Sequence, residues 1–291
     1  MIQKTEGVNY VAKTLGISKA AKGIKKLKIV VDSGNGMGAK ASAVIFDKLG
    51  LKPKMLFSEQ DGSFPNHTPN PLNEENLIEL KKTIKKEKAD IGIAFDGDAD
   101  RVGFVDENGL TVPNDLITAL VAKELLKGKQ GKKEKILFEI RSSWAVRDEI
   151  KRCGGIPLLW KAGHALIKEK MKEDDVLFGG EKSGHYFFRD FWYADCADIA
   201  ALHVLKLMSD TGKKISELVA PLRIYFNPGE INFKLNDKDD AMEAVEKEFS
   251  SGKIMHLDGL TIEFNDWWFN LRKSNTEPYL RLNIEAKTEE R

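Results

Sequence analysis

The sequence predicts an α/β fold class, with two similar mixed-sheet α/β domains followed by a smaller α+β C-terminal domain. Two stretches, opened by Lys28 and Lys135 at positions 107 apart, each contain a strand, a polar turn, a helix and a second strand. In each stretch a polar loop then separates two short apolar runs. From about residue 222 the pattern changes to strands around a single helix, which marks a third unit.

The first unit has the order of a β-α-β motif followed by a strand-loop-strand segment. Its apolar runs are short and bounded by glycine, proline or charged residues, which predicts strands. A helical pattern continues to Leu49, and Gly50 ends it. The expected elements are a strand at 27–31, a helix at 39–49, and strands at 53–57, 91–95 and 102–105.

The second unit repeats this order. The expected elements are a strand at 135–138, a helix that runs through Lys151, and strands at 156–160, 175–178 and 185–188. The loop at 179–184 then takes the place that the loop at 96–101 has in the first unit. Such a repeat predicts two related domains with one polar loop each.

The third unit is shorter and ends the chain. Its expected elements are a strand at 230–234, a helix at 238–249, a strand at 260–264 and an aromatic hairpin at 267–269. Pro221 or Pro228 would join it to the second unit. The predicted organisation is a lead-in segment at 1–24, α/β domains at 25–130 and 131–221, and an α+β domain at 222–291.

The composition allows a sizeable core and shows no strong charge bias. Of the 291 residues 42% are hydrophobic, and the formal net charge is +1. This balance does not favour a nucleic-acid or membrane-surface partner. Cys153 and Cys196 have no metal-ligand spacing and make no disulfide framework, which suits a reducing compartment. With no apolar run of about 18 residues and no signal-peptide pattern, we expect a cytoplasmic protein.

The densest polar cluster lies between two expected strands, where Asp96, Asp98 and Asp100 alternate with small residues. Like charges at this spacing repel one another by roughly 1 kcal/mol per pair even in water, and a divalent cation offsets that repulsion. Ligands that are all oxygen suit a hard ion such as Mg²⁺. Arg101 follows directly and offers a forked donor for a phosphate beside the metal.

Two other interpretations of this loop compete with a metal and phosphate site. A calcium EF-hand would use the three aspartates and Glu107 as ligands, but Arg101 stands where that loop needs glycine. The flanking segments also have the pattern of strands, whereas an EF-hand requires helices. The other alternative is a solvated acidic turn, which is the usual state of a charge cluster.

A second polar loop offers a carboxylate from Glu181, a hydroxyl from Ser183 and an imidazole from His185. A carboxylate and a hydroxyl together can accept and donate hydrogen bonds with vicinal sugar hydroxyls. An ordinary glycine-rich hairpin loop is the alternative. Lys161 and His164 lie at the end of the strand at 156–160, where they could face a cleft.

A third polar segment follows an apolar strand near the C-terminus. Its guanidinium, hydroxyl and amide groups suit a phosphate dianion, and a polar turn with capping residues is the alternative. The candidate phosphate-binding residues are Arg272, Ser274, Asn275 and Thr276, with Arg281 just beyond the turn. The turn at 33–38 lacks both the dinucleotide spacing and the P-loop lysine, so a structural β-α turn is favoured there.

Together, and in this order, the motifs resemble those of the α-D-phosphohexomutases, the phosphomannomutase/phosphoglucomutase superfamily. The resemblance covers nearly the whole chain through five segments, at 31–36, 96–101, 161–164, 181–185 and 272–278. It implies that the three aspartates ligate Mg²⁺ with help from Arg101, and that the loop at 181–185 holds the sugar. It also implies that the loop at 272–278 grips a phosphate. Lys161, His164 or His185 would move the hydroxyl proton.

The resemblance implies an isomerase that moves phosphate between C1 and C6 of a hexose through a phosphoserine. A hexose 1,6-bisphosphate would act as activator, and the substrate would be a hexose phosphate, with glucose or mannose favoured by the form of the loop at 181–185. The family's serine loop, which lies on a first domain, has no counterpart in these residues. We therefore expect domains two to four of a mutase, as a fragment or as one part of a split enzyme with a separate serine-loop domain.

Two other function classes stay open. A non-catalytic phosphosugar-binding protein derived from a mutase would use the same sugar and phosphate grips, although it would not need the aspartate triplet. A generic α/β nucleotide-binding protein would require the turn at 33–38 to bind phosphate, and its glycine spacing is unsuited to that task.

Overall fold

The computed structural model describes residues 24, 26–129, 131–274 and 278–290. Apart from Ile24, the expected lead-in segment lies outside the described residues, and so do two predicted site residues, Asn275 and Thr276. Three five-stranded sheets follow one another along the described chain, which confirms the predicted fold class. Among the residues described, no helix combines the length and apolar character needed to cross a membrane.

The first sheet is mixed, with helices on both faces. Its strands are β1 (Ile29–Asp32), β2 (Lys54–Leu56), β3 (Ile91–Phe95), β4 (Val102–Asp106) and β5 (Thr111–Val112), in the order β2-β1-β3-β4-β5. Helix α1 (Gly38–Leu49) and helix α2 (Ile78–Glu87) pack on opposite faces. Val31 shares a core cluster with Phe46 of α1, whereas its neighbour Val30 shares one with Leu80 of α2. A strand buried on both faces needs such a continuous apolar run.

The second sheet repeats the topology of the first. Its strands are β6 (Lys135–Glu139), β7 (Ile156–Trp160), β8 (Phe178–Gly180), β9 (Tyr186–Phe188) and β10 (Ala194–Asp195), in the order β10-β9-β8-β6-β7. In both sheets three parallel strands are followed by two antiparallel ones. The associated helices are α3 (Asn114–Leu126), α4 (Trp144–Arg152), α5 (His164–Glu173), α6 (Ala197–Thr211) and α7 (Ile215–Val219). The predicted internal repeat is thereby confirmed.

Strand β8 lies further along the chain than the sequence predicted, because two glycines assigned to the loop belong to the strand. A Cβ on Gly179 would stand 2.9 Å from Sδ of Met171, and one on Gly180 would stand 2.2 Å from Oγ1 of Thr118. These glycines therefore allow helices to pack closely on the sheet, because they lack a side chain. Backbone flexibility in a loop is not the reason for glycine at these two positions.

The third unit is an antiparallel sheet with one helix. Its strands are β11 (Ile231–Lys234), β12 (Lys253–Met255), β13 (Leu260–Glu263), β14 (Trp267–Lys273) and β15 (Tyr279–Ala286), in the order β11-β15-β14-β13-β12, with α8 (Lys238–Glu248). The aromatic segment expected as a hairpin instead begins β14. The hairpin turn precedes it, where the N–H of Phe264 donates to the carbonyl of Trp267 at 2.8 Å.

The hydrophobic core is shared unequally among the three units. One cluster contains residues of both α/β units, including Phe104 of the first sheet, Ile117 of α3 and Phe178 of the second sheet. The C-terminal sheet has a separate cluster around Ile262 and Phe269, against which α8 packs. The two α/β units are therefore fused through their interiors, whereas the third unit has a core of its own.

Candidate active site

The loop between β3 and β4 carries the three aspartates. Asp96 is buried at the end of β3, Asp98 is exposed at the tip, and Asp100 is half-buried on the returning arm. Ala99 adopts a left-handed conformation with a φ of 65°. The tight turn brings one carboxylate oxygen from each aspartate within 4.8 Å of the others. Three oxygen donors so close together fit a hard divalent cation such as Mg²⁺.

Arg101 holds the base of this loop together. Its Nε lies 2.7 Å from Oδ2 of Asp96, and its backbone N–H donates to Oδ1 of the same carboxylate at 3.1 Å. Burial and then the neighbouring charge of Asp96 raise the pKa of Asp100, although His185 acts in the opposite direction. Burial is the larger cause, and a bound cation would relieve the repulsion that the neighbouring aspartates add.

The glycine-rich turn after β1 supports the aspartate loop from behind. The N–H of Met37 donates to the carbonyl of Gly97 at 2.9 Å, and a Cβ on Gly36 would stand 2.5 Å from that oxygen. Glycine at 36 therefore permits the close approach of the two loops. Packing thus explains this turn, in agreement with the structural role predicted for it.

The loop between β8 and β9 meets the aspartate loop across the boundary of the two α/β units. Oδ2 of Asp100 lies 3.4 Å from Nε2 of His185. The other ring nitrogen of His185 lies 2.9 Å from Oγ of Ser183 and 3.3 Å from Oε2 of Glu181. Farther along, the N–H of Val102 donates to the carbonyl of Gly184 at 3.1 Å. The structure therefore joins two motifs that lie about 80 residues apart in the sequence.

Glu181 and His185 shift each other's pKa. Burial acts to raise the pKa of Glu181, but hydrogen bonds from His185 and from the N–H of Gly163 outweigh it and lower the pKa. Burial acts to lower the pKa of His185, but Glu181, Asp100 and Asp195 outweigh it and raise the pKa. Both shifts favour a carboxylate beside an imidazolium.

The segment at the start of α5 reaches towards both halves of the cleft. The N–H of Gly163 donates to Oε1 of Glu181 at 2.7 Å, and the ring of His164 stacks on that of His185 with centroids 6.2 Å apart. Lys161, two residues earlier, lines a cavity of about 720 Å³ that faces the C-terminal sheet. Lys161 therefore lines a cavity, and His164 lies against His185 beside it.

The cavity gathers the described part of the predicted phosphate-binding set. Arg272, Ser274 and Arg281 line it, together with His256 and Lys273. Nη2 of Arg281 lies 3.3 Å from Oγ of Ser274. The Nε of Arg272 is buried and has no hydrogen-bond partner within the described part of the chain. An excess of cationic side chains around one cavity suits an anionic ligand.

Asp258 links the cavity to the α/β part of the protein. Its Oδ2 accepts a hydrogen bond from the N–H of Ala162 at 3.3 Å and lies 3.7 Å from Nη1 of Arg272. Asp258 is not among the residues predicted from the sequence. A single aspartate in a turn carries no recognisable pattern, and only the packing of the third unit brings it to the site.

Glu139 and Arg141 are two further residues that the sequence analysis missed. Glu139 is fully buried at the end of β6 and accepts hydrogen bonds from Arg141 at 2.9 Å and from the N–H of Lys182 at 3.3 Å. It thereby fixes the base of the loop at 181–185. The repeat contained the signal, because Glu139 follows Asp32 by the same 107 positions that separate the two units. Asp32 is likewise buried and binds His67 at 3.2 Å.

Two repeated α/β sheets, an aspartate loop at their boundary and a cationic cavity on a third sheet define the α-D-phosphohexomutase class of protein. The chain belongs to the phosphoglucomutase/phosphomannomutase family. The family's α/β/α domain II matches residues 8–109, its α/β/α domain III matches residues 113–225, and its C-terminal domain matches residues 230–291. These matches confirm the predicted family and the predicted resemblance to its domains two to four.

The chain is similar to several curated phosphomannomutases. It is 40% identical over 262 residues to that of Methanocaldococcus jannaschii, which covers 90% of this chain and 58% of the relative. It is 41% identical over 277 residues to that of Vibrio cholerae, which covers 91% of this chain and 58% of the relative. The chain thus spans about three fifths of the length of these relatives.

Solved structures show the same fold. A phosphoglucomutase/phosphomannomutase family protein of Burkholderia thailandensis matches with a TM-score of 0.82 and 32% identity, over 94% of this chain and 61% of that one. An N-acetylphosphoglucosamine mutase of Aspergillus fumigatus, solved with GlcNAc-6P and magnesium, matches with a TM-score of 0.68 and 16% identity, over 94% and 66%. At that identity the second likeness concerns the fold alone.

Proposed function

We propose that this chain forms the metal-, sugar- and phosphate-binding part of a phosphohexomutase, which moves phosphate between C1 and C6 of a hexose. The observation that carries the proposal is the contact of 3.4 Å between Asp100 and His185, since it joins the aspartate loop to the sugar loop. The named relatives support the same reaction class. Substrates would be glucose or mannose phosphates, and the enzyme would work in the cytoplasm.

The aspartate loop fits Mg²⁺ by the spacing and chemistry of its three oxygen donors. Asp96, Asp98 and Asp100 would hold the ion, which when bound supplies positive charge against a transferring phosphoryl group. Arg101 keeps Asp96 oriented through its Nε. Its forked guanidinium is also the group we assign to the reacting phosphate.

Sugar and phosphate would be held on different units. Glu181 and Ser183 would accept and donate hydrogen bonds with ring hydroxyls. The phosphate that is not reacting would lie in the cavity of Arg272, Ser274 and Arg281. The predicted set also includes Asn275 and Thr276, which lie outside the described residues. His164, His185 and Lys161 adjoin the region between these two sites, so the group that moves the hydroxyl proton would be one of them.

The nucleophile would be a phosphoserine on a serine-loop domain, in a longer chain or in a separate one. A hexose 1,6-bisphosphate would act as activator, in line with the Aspergillus fumigatus mutase that was solved with glucose 1,6-bisphosphate. The alternative is a phosphosugar-binding protein without turnover. The intact aspartate triplet favours the mutase, because binding alone does not require the transfer metal.

Calorimetric titration of glucose 1,6-bisphosphate into the chain, with and without Mg²⁺, tests the proposed binding. We expect binding that Mg²⁺ strengthens, and an Asp98→Asn variant in which Mg²⁺ no longer has an effect. Arg272→Ala should weaken binding about tenfold to a hundredfold, which is the value of a charge-assisted hydrogen bond. Asp47→Asn, on the exposed side of α1, is the matched control and should bind like the unaltered chain.

Addition of a serine-loop domain then separates the two candidate functions. Turnover of mannose 1-phosphate or glucose 1-phosphate that appears with this domain and disappears in Asp98→Asn supports the mutase. Binding without turnover under these conditions supports the binding protein. If neither bisphosphate nor monophosphate binds, both proposals are wrong.

A further inference from the structure

Three potential metal ligands from two different units meet beside the aspartate triplet. Asp100 comes from the loop between β3 and β4, His185 precedes β9, and Asp195 ends β10. One ligand atom from each lies within 4.8 Å of the other two, and all three residues are half-buried. Asp100 belongs to both groups, whereas His185 and Asp195 belong only to this second one.

The ring of His185 is held as a metal-binding histidine usually is. Its Nδ1 lies 2.9 Å from Oγ of Ser183 and 3.3 Å from Oε2 of Glu181, which leaves Nε2 facing Asp100. A carboxylate behind the distal ring nitrogen is the common support for a histidine that ligates a metal. The distance of 3.4 Å between Nε2 and Oδ2 of Asp100 also matches the roughly 3.3 Å that separates two ligand atoms on one zinc ion.

The two oxygens of Asp100 face different neighbours. Oδ1 lies 4.0 Å from Nε of Arg101, within the aspartate loop, whereas Oδ2 faces His185. Because a carboxylate has two oxygens, Asp100 can contribute to both groups of ligands. Asp195 is fixed by the pairing of β10 with β9, in which it stands opposite Phe187.

We propose that Asp100, His185 and Asp195 form a second divalent-cation site, which takes Zn²⁺ or a similar transition ion in preference to Mg²⁺. An imidazole among the ligands favours such ions, whereas the neighbouring all-oxygen triplet favours Mg²⁺. Three protein ligands leave a fourth position for water or a substrate oxygen. This proposal is independent of the proposed function, because the metal could bind whether or not the chain has mutase activity.

The ammonium group of Lys168 would compete with a metal ion for Asp195. Its Nζ lies 3.1 Å from Oδ1 of Asp195, so a cation that binds Asp195 has to share or displace this ion pair. Removal of the ammonium group should therefore strengthen transition-metal binding. A variant that is damaged in its fold would not show such a gain.

Two single substitutions should separate the two metal sites. Zn²⁺ affinity is measured by competition with a chromophoric chelator, and Mg²⁺ affinity by calorimetry. Asp195→Asn should lower Zn²⁺ affinity at least about tenfold and leave Mg²⁺ affinity unchanged. Asp98→Asn should do the reverse, because Asp98 contributes only to the triplet. Lys168→Met should raise Zn²⁺ affinity severalfold, and Asp47→Asn should change neither affinity.

Visible absorption of bound Co²⁺ tests the same ligands independently. With Co²⁺ in place of Zn²⁺, we expect the visible absorption of a four- or five-coordinate ion, and we expect it to be lost in Asp195→Asn and in His185→Gln. Thermal melts of each variant without metal confirm that it is folded. The proposal is overturned if Asp195→Asn leaves Zn²⁺ affinity unchanged, or if one substitution lowers both affinities equally.

Discussion

The two sides of the cleft differ in the hydrophobic core that supports them. The aspartate loop and the sugar loop lie where two α/β units share a single core cluster, and backbone hydrogen bonds such as Val102 to Gly184 join them. The cationic cavity lies on a sheet with its own core. The aspartate loop and the loop at 181–185 are therefore fixed relative to each other by a shared core. The interface of the C-terminal sheet with the α/β units instead combines the packing of Trp144 against Trp268 with a few hydrogen bonds.

That interface is built on a few carboxylates. Oε1 of Glu285 accepts from the N–H of Trp144 at 2.8 Å and from Nε1 of Trp268 at 3.1 Å. Asp258 binds the N–H of Ala162, and Oη of Tyr225 donates to Asp148 at 2.5 Å.

The largest expected effect comes from opening the shared core. Phe178 is fully buried in the shared cluster, and Phe269 is 3% exposed in the C-terminal cluster. Truncation of either to alanine should lower the free energy of unfolding by about 3–5 kcal/mol in the unit that contains it. Hydrogen exchange followed by mass spectrometry should show Phe178→Ala raising exchange in both α/β units. Phe269→Ala should raise it only in the C-terminal unit.

Equal exchange in all three units after Phe269→Ala would contradict the separate core. Confinement of the Phe178→Ala effect to the second unit would contradict the shared one. The pair is well matched because both changes remove the same phenyl ring from a buried position in a strand.

A smaller effect is expected at the interface carboxylate. Glu285→Ala leaves the N–H of Trp144 and the indole of Trp268 without their acceptor, at a cost of about 1–3 kcal/mol. Burial raises the pKa of Glu285 despite the hydrogen bonds that it accepts. Because protonation therefore favours the folded state, its contribution is complete below pH 4.5 and is lost as the pH rises through the raised pKa.

Glu285→Gln is the control, because it keeps an acceptor oxygen and does not titrate. Denaturant unfolding should be measured at several pH values. As the pH rises from about 4.5, the free energy of unfolding of the Gln variant should increase relative to that of the unaltered chain. If the two stability curves stay parallel, Glu285 does not ionise differently in the folded and unfolded states.

The sequence predicted the repeated units because alternating apolar runs and turn glycines act locally, through strand burial and backbone freedom. It also predicted the aspartate triplet, since those ligands are neighbours in the chain. It did not identify Asp258, which only the packing of distant segments brings to the N–H of Ala162. Nor did it identify Asp195 or Glu139, although the repeat pairs Glu139 with Asp32. Gly179 and Gly180 were assigned to a loop because their use, close contact with α3 and α5, is not visible in one sequence.

The smallest predicted effect concerns two buried carboxylates that occupy equivalent positions in the two α/β units but have different partners. Asp32 binds His67, whereas Glu139 binds Arg141. The hydrogen bond to Asp32 raises the pKa of His67, although burial opposes it. The stability that this pair contributes is complete below pH 6.5 and is lost as the pH rises through the raised pKa. Arginine stays charged throughout, so the second unit has no such dependence at this position.

Hydrogen exchange at about pH 5.5 and 8.5, corrected for the intrinsic exchange rate, should therefore show the segment at 64–71 loosening at the higher pH. The segment at 139–143 should not change. His67→Gln should abolish the difference, since its amide can still bind Asp32 but carries no charge. If the pH dependence persists in His67→Gln, another group controls that segment, and the two equivalent positions do not differ in the way their partners imply.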